Sequence, residues 1–138
     1  MIVADTGAII ALINEDDPNH QILRRAFETR PEDWVLPWAV LPEIDHFLTK
    51  RLGRDTARAF RADVAGGLFS VEWNGSGDLE RAREIEERYA DLRLGLVDTV
   101  VMAMAERLGA RAIATLDLRD FAPVELAGNP QLWPRDLR

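Results

Sequence analysis

Cysteine is absent from this 138-residue chain, and lysine occurs once. Without thiols there is no disulfide framework and no thiolate metal site. No apolar run approaches the length that crosses a bilayer. The opening MIVADTGAII has no basic leader and carries an acid inside its apolar stretch, so it does not read as a signal peptide. These absences fit a cytoplasmic protein with no membrane partner. Also missing are G-x-G-x-x-G, the P-loop and G-x-S-x-G, which removes dinucleotide, nucleotide-phosphate and serine-hydrolase readings. Positive charge is scarce too: 17 Lys and Arg against 24 Asp and Glu give a formal charge of −7. Nucleic-acid binding usually shows a basic footprint, because cations displace counterions from phosphate. An acidic chain can still bind it if bound metal neutralises a local acidic cluster and arginines line the approach. Every basic residue except Lys50 is arginine, whose planar fork suits phosphate.

What is present reads as one domain over 1–138, with no repeat or linker. Ile2-Val3-Ala4 is a short buried strand that turns at Asp5-Thr6-Gly7 into a helix through Ala8 to Ile13. Asp17-Pro18 looks like a helix start running to about Thr29. Trp34 to Leu36 is a second strand. The helix after Pro37 extends to Arg51, with Val40, Ile44, Phe47, Leu48 and Arg51 on one side, and Gly53 ends it. A helix from Asp55 to about Ala65 closes at Gly66-Gly67. Leu68 to Glu72 suits a strand, and Asp78 caps a charged helix to Tyr89 after the turn at 74–77. Leu96 to Leu108 is a strongly apolar helix stopped by Gly109. Ala112 to Thr115 forms a strand, Asp117 to Phe121 a loop or short helix, and Gln131 to Trp133 the last strand. Short apolar strands alternating with helices predict an α/β fold with a mainly parallel sheet, whose ligands gather at the carboxyl ends of the strands.

Acids are common here, so position must select among them. Asp5 is the only ionisable side chain between Met1 and Asn14 and lies where the first strand ends. Asp98 is the only charged residue between Leu94 and Ala105 and falls in the first turn of the most apolar helix, at the edge of its buried stripe. Asp117 follows a strand by two residues. Each has a bland explanation: Asp5 or Asp117 as a cap or turn residue, Asp98 as a first-turn acid favoured by the helix dipole. Together, however, they reach one rim of one sheet. Carboxylates converging in a desolvated place repel, and a divalent cation is the simplest remedy. On the helix starting near Pro42, Glu43 and Asp45 border opposite edges of the apolar stripe, and helical geometry alone does not choose between them. Asp120 is close enough in sequence to substitute for Asp117.

Other readings are weaker. Asp5-Thr6-Gly7 matches the aspartic-protease triplet, but that chemistry wants a nearly all-β chain. Glu43-x-x-His46 matches half of a di-iron motif whose second half is absent. Trp34, Trp38, Trp73 and Trp133 could stack bases but suit core or interface packing better. Arg54, Arg58 and Arg61 lie at helical spacing, and the plain expectation for them is a solvated face.

The segments IVADTGAIIALI, PEIDHFL, LGLVDTVVMAMAERLGA and IATLDLRDF, in this order and spacing over nearly the whole chain, resemble the PIN-domain ribonucleases and, within them, the VapC-type toxins of bacterial toxin–antitoxin pairs. The resemblance implies a three-layer α/β/α domain. It selects Glu43 over Asp45 and completes a set of Asp5, Glu43, Asp98 and Asp117, with Thr115 preceding Asp117 in a T-x-D motif. It further implies that these acids hold Mg²⁺ or Mn²⁺, that single-stranded or loop RNA is cut, and that the protein is a homodimer inhibited by a small antitoxin. In that scheme Asp5 and Asp98 ligate the metal directly, Glu43 and Asp117 take a second ion or orient its waters, and Thr6 and Thr115 support them. The net negative charge is unhelpful for RNA but could grip a basic antitoxin segment. The non-catalytic alternative is a PIN-like protein-interaction module that has lost its nuclease chemistry; its signature would be missing site acids, and all four are present.

Overall fold

In the computed structural model, which describes residues 1–137, five short strands form one sheet in the order β3-β2-β1-β4-β5, and every neighbouring pair is parallel. The strands are β1 Ile2–Ala4, β2 Trp34–Pro37, β3 Ser70–Glu72, β4 Ala112–Ala114 and β5 Gln131–Trp133. The helices are α1 Thr6–Ile13, α2 His20–Thr29, α3 Val40–Arg51, α4 Arg54–Ala65, α5 Asp78–Arg88, α6 Leu96–Arg107 and the single turn α7 Leu118–Phe121. Between them lie 3-10 turns at Pro31–Asp33 and Ala90–Leu92. No helix among the described residues is long and apolar enough to cross a membrane.

The order explains the layering. Leaving β1, the chain runs outward to β2 and β3, then returns past β1 to build β4 and β5. Parallel crossovers are right-handed, so α1 to α4 cover one face and α5 and α6 the other. α1 packs on α2 and α3, α3 on α4, and α5 on α6, as two separate helical layers require. β1 and β4 are covered on both faces, and all six of their residues are buried. That is why they read as unbroken apolar runs rather than alternating ones. α6 is similarly enclosed: Thr99 through Ala105 are all buried. An aromatic group built on Trp34, with Phe27, Phe69 and Trp133 around it, fills the far side of the core.

Several local expectations need correction. α1 begins at Thr6, not Ala8. α2 begins at His20 rather than Asp17, because the Asp17 carboxylate is used locally, accepting from the Asn19 backbone N–H at 2.8 Å in a turn. β3 is shorter than the apolar run from Leu68 suggests, and Leu68 is exposed. Asp78 is not the cap of α5 but its first residue; it is buried, bonded to Gly75 N–H at 2.7 Å and to Arg107 Nε at 2.8 Å. On α3 the buried stripe is Val40, Ile44 and Leu48 alone. Phe47 and Arg51 are exposed, the guanidinium 5.5 Å from the ring centroid. Phe47 flanks the stripe at its edge, since the next residue, Leu48, is fully buried, whereas Arg51 lies past the last core residue of the helix.

Arg107 fastens the edge of the sheet to α6: besides Asp78 it reaches Glu72 at 3.0 Å. Gly75 is required beside it, since a Cβ there would stand 2.5 Å from the guanidinium carbon. Removing one partner of a buried ion pair strands the other charge. Arg107→Ala is therefore expected to destabilise the fold by about 3 kcal/mol, read as a lowered urea midpoint with an unchanged slope.

Candidate metal centre

β1 and β4 lie side by side at the point where chain direction across the sheet reverses, the place where open α/β sheets leave a crevice at their carboxyl ends. Each strand delivers one acid there. Asp5 directly follows β1, and its N–H donates to the Ala114 carbonyl at 2.8 Å, continuing the ladder one step past the strand. Asp117 follows β4 after Thr115 and Leu116. Asp98 arrives from the opposite helical layer, on the first turn of α6.

Thr115 is the joint between the two strands' acids. Fully buried, its hydroxyl donates to Asp5 Oδ2 at 3.0 Å and accepts from the Asp117 N–H at 3.1 Å. Asp117 Oδ1 in turn accepts from the Asp120 N–H at 3.2 Å, so Asp117 also caps the short helix α7. The capping explanation and the site explanation are thus both satisfied by one side chain. Asp120 then falls beside them: Asp98, Asp117 and Asp120 each offer a carboxylate oxygen, and these lie within 4.8 Å of one another. The sequence leaves Asp117 and Asp120 as substitutes; the structure brings both in.

Asp5 stands behind this trio, almost wholly buried and held by Thr115. Glu43 is exposed at the mouth, and the Thr6 hydroxyl donates to its Oε1 at 2.6 Å. The ambiguity between Glu43 and Asp45 has a geometric answer. Asp45 points toward α4 and is clasped by Arg61, with Nε to Oδ1 at 2.6 Å and the second pair at 2.9 Å. Its charge is already matched, and Arg61 holds its carboxyl below the usual range. Glu43 is close enough for its charge to act on Asp5.

The electrostatics show what crowding does. Burial pushes Asp5 up to about 6, with the charges of Glu43 and Asp117 adding to it against the bonds from Thr6 and Thr115. Asp98 rises to about 7, first through burial and then through the charges of Asp5, Asp117 and Asp120. The N-terminus of α6 favours a carboxylate, yet the net shift is upward, so desolvation and like charge win. Asp117 is also raised, chiefly by burial. Among the described residues none of Asp5, Asp98, Asp117 and Asp120 makes an ion pair with Arg, Lys or His. Hard oxygen donors close together with unmatched charge are the donor set that Mg²⁺ or Mn²⁺ takes. The arrangement fits a divalent cation.

The same geometry disposes of two rivals. The Asp5-Thr6-Gly7 triplet sits at a strand-to-helix junction of a parallel sheet, not in an all-β chain. His46 is exposed on α3, and the three-acid group does not include it. Of the tryptophans, Trp34 and Trp133 are core, Trp38 is half-buried, and Trp73 is exposed.

Comparison with known proteins agrees with this architecture. The family model for the PIN domain matches residues 2–125. Ribonuclease VapC26 of Mycobacterium tuberculosis is 28% identical over 127 residues, covering 92% of this chain and 94% of that protein. The crystal structure of Mycobacterium tuberculosis VapC20, described as a sarcin-ricin loop cleaving toxin, superposes with a TM-score of 0.73 at 26% identity, covering 82% of this chain and 87% of the other. A toxin–antitoxin complex from Klebsiella pneumoniae superposes at 0.68 and 20% identity over 88% and 91% of the two chains, which is a likeness of fold.

Raised carboxyl values carry a sign for stability. An acid whose folded value lies above its unfolded one disfavours the folded state once ionised. The penalty is absent below the unfolded value and complete above the folded one. For Asp98 that window runs from 3.8 to about 7. In chelator, Asp98→Asn is expected to gain thermal stability relative to the parent as pH rises through this window. Adding Mn²⁺ above pH 7 should raise the parent's melting temperature and leave the variant's unchanged.

Proposed function

The chain belongs to the PIN-domain family, and from that premise we propose that it is a metal-dependent endoribonuclease acting as the toxin of a toxin–antitoxin pair. The observation that carries the chemistry is the unmatched group of Asp98, Asp117 and Asp120, with Asp5 behind it and Glu43 at its mouth. The named relatives, a ribonuclease and an RNA-loop-cleaving toxin, support RNA as the polymer, with single-stranded or loop RNA the form admitted. An assembled neighbour from Klebsiella pneumoniae supports a small antitoxin as partner. A cytoplasmic homodimer completes the reading.

Asp98, Asp117 and Asp120 would hold Mg²⁺ or Mn²⁺, and Asp5 closes the ring from the strand side. When bound, the ion supplies a water of lowered pKa and screens charge on the phosphoryl oxygens. The protein's own residues do the positioning. Thr115 fixes Asp5 and the backbone of Asp117 relative to each other, so that the two strands' acids move as one unit. Thr6 engages Glu43 Oε1 and leaves Oε2 to accept a proton from the attacking water or to orient it. In-line attack would form a bond from the water oxygen to phosphorus as the bond to the leaving ribose oxygen breaks, with the water's proton passing to Glu43 Oε2 and the leaving oxygen taking a proton from solvent.

The test is cleavage of structured RNA by partner-free protein in Mg²⁺ or Mn²⁺, beside EDTA and Asp98→Asn. Loss in both controls, by at least about 100-fold, is expected, since outer-shell changes alone typically cost 10–100-fold. Activity that survives Asp98→Asn would assign cutting to another site. Absence of both cleavage and Mn²⁺ binding by calorimetry would favour the interaction module instead. Thr115→Val, which removes a positioning hydroxyl but no acid, is expected to reduce the cleavage rate about 10–100-fold while Mn²⁺ still binds, more weakly.

A further inference from the structure

Most of the chain's cations are spent on neighbouring acids. Arg24 pairs with Glu28, Arg83 with Glu80 and Glu87, Arg81 with Glu84 and Glu106, Arg107 with Glu72 and Asp78, and Arg135 with Asp136. The corner where α3 meets α4 is different. Lys50, Arg51, Arg54 and Arg58 fall within nine residues, all are exposed, and among the described residues none makes an ion pair with an acid. Arg51 is laid against the exposed ring of Phe47. The nearest acids do not neutralise the corner: Asp45 is committed to Arg61, and Asp55 makes no ion pair with these cations.

Helix energetics account for part of this cluster only. Lys50 and Arg51 end α3, where the dipole favours cations. Arg54 is the first residue of α4, where the dipole disfavours them, and Arg58 stacks one turn above it, like charge over like charge. Fold stability gives no reason for those two. Gly53, at φ +99°, makes the tight turn that brings the two helix ends together.

The corner is tied to the acid cluster by α3 itself. Glu43, at the mouth of the site, and Lys50 are two turns apart on one exposed stripe, about 10 Å along the axis at about 1.5 Å per residue. At about 3.4 Å of axial rise per nucleotide of a stacked strand, that is about three nucleotides.

We infer that the exposed α3–α4 corner, Lys50, Arg51, Arg54 and Arg58, holds the phosphodiester backbone of the RNA a few nucleotides to one side of the cut. This rests on the proposed nuclease activity and adds where its substrate is gripped. It also answers the objection from net charge. The contact is with a local patch in which four cations stand against the one acid of the same segment, Asp55, while the excess of negative charge lies elsewhere. Backbone contacts carry no base information, so the grip is sequence-independent.

In an Asp98→Asn background, which leaves RNA uncut, fluorescence anisotropy of a short fluorescein-labelled oligouridine measures affinity across a salt series. Each lost phosphate contact on a single strand lowers the slope of log affinity against log salt by about 0.7. Lys50→Gln/Arg54→Gln/Arg58→Gln is expected to bind at least about tenfold more weakly at low salt, with the slope reduced by about 2. Arg58→Gln alone should lower it by about 0.7, a check that does not depend on a triple variant folding. Arg24→Gln/Arg25→Gln/Arg83→Gln removes the same charge from α2 and α5 and should leave the slope unchanged. If the corner variants and the control bind alike, the corner does not hold RNA and its cations serve a protein partner. Cleavage by proteins that retain Asp98 separates the two ideas. A corner variant that cuts RNA at the parent rate overturns the corner alone, whereas a parent that cuts nothing and binds no Mn²⁺ overturns the nuclease reading.

Discussion

Like-charge repulsion in a place poor in water is the constraint around which this molecule is arranged. Asp5, Asp98, Asp117 and Asp120 come from three separate segments, and left to themselves they would move apart. A single buried hydroxyl, Thr115, which donates to Asp5 and accepts from the Asp117 N–H, and the backbone bond from Asp5 to Ala114 hold the strand side together. On the helical side Asp98 is anchored by α6, which is enclosed in the core along most of its length and has little freedom to shift. Asp5 and Asp98 are nonetheless displaced upward, because burial and like charge outweigh the hydrogen bonds that Thr6 and Thr115 give Asp5, and Asp98 has no lowering contact among its leading causes. A site tuned for its own stability would have placed an arginine there, and sixteen were available.

Where arginines were placed instead is equally informative. Asp45, two residues from Glu43, received a bidentate partner in Arg61 and was thereby removed from the site. Asp78, buried deeper than any site acid, received Arg107. The chain therefore contains acids of two kinds, matched and unmatched, and only the unmatched ones gather at the switch point of the sheet. The basic side chains divide in the same way, with those of the α3–α4 corner left open. A net charge of −7 averages over this separation and conceals it.

The separation also connects stability to chemistry. Of the elements that deliver the acids, β1 and β4 are buried throughout and α6 is buried from Thr99 to Ala105, directly after Asp98, so core packing sets where their ends stand. Glu43 is the exception: exposed, on the first turn of α3, and placed by a contact with Thr6. A rigid group of unmatched acids and an accessible carboxylate at its edge suit the division of roles proposed above, the first to hold an ion and the second to handle a proton.

Local pattern by itself determined the parallel α/β class, the strand positions of β1, β2, β4 and β5, and the singularity of Asp5 and Asp98. Each of these depends on composition within a few residues: uninterrupted apolar runs imply burial on both faces, and a lone acid inside one stands out. Resemblance over the whole chain added the choice of Glu43. Tertiary structure decided what no local window contains. It separated Glu43 from Asp45 physically, because the partner that removes Asp45 lies sixteen residues away on another helix. It brought Asp120 in beside Asp117, because the turn of α7, rather than sequence distance, sets where those oxygens stand. It moved Phe47 and Arg51 out of the core, because helical phase tells which residues share a side but neither how wide the covered stripe is nor where along the helix it ends. Charge and apolarity are written residue by residue. Whether a charge is matched, and how far a hydrophobic face stays covered, depends on what the folded chain brings opposite.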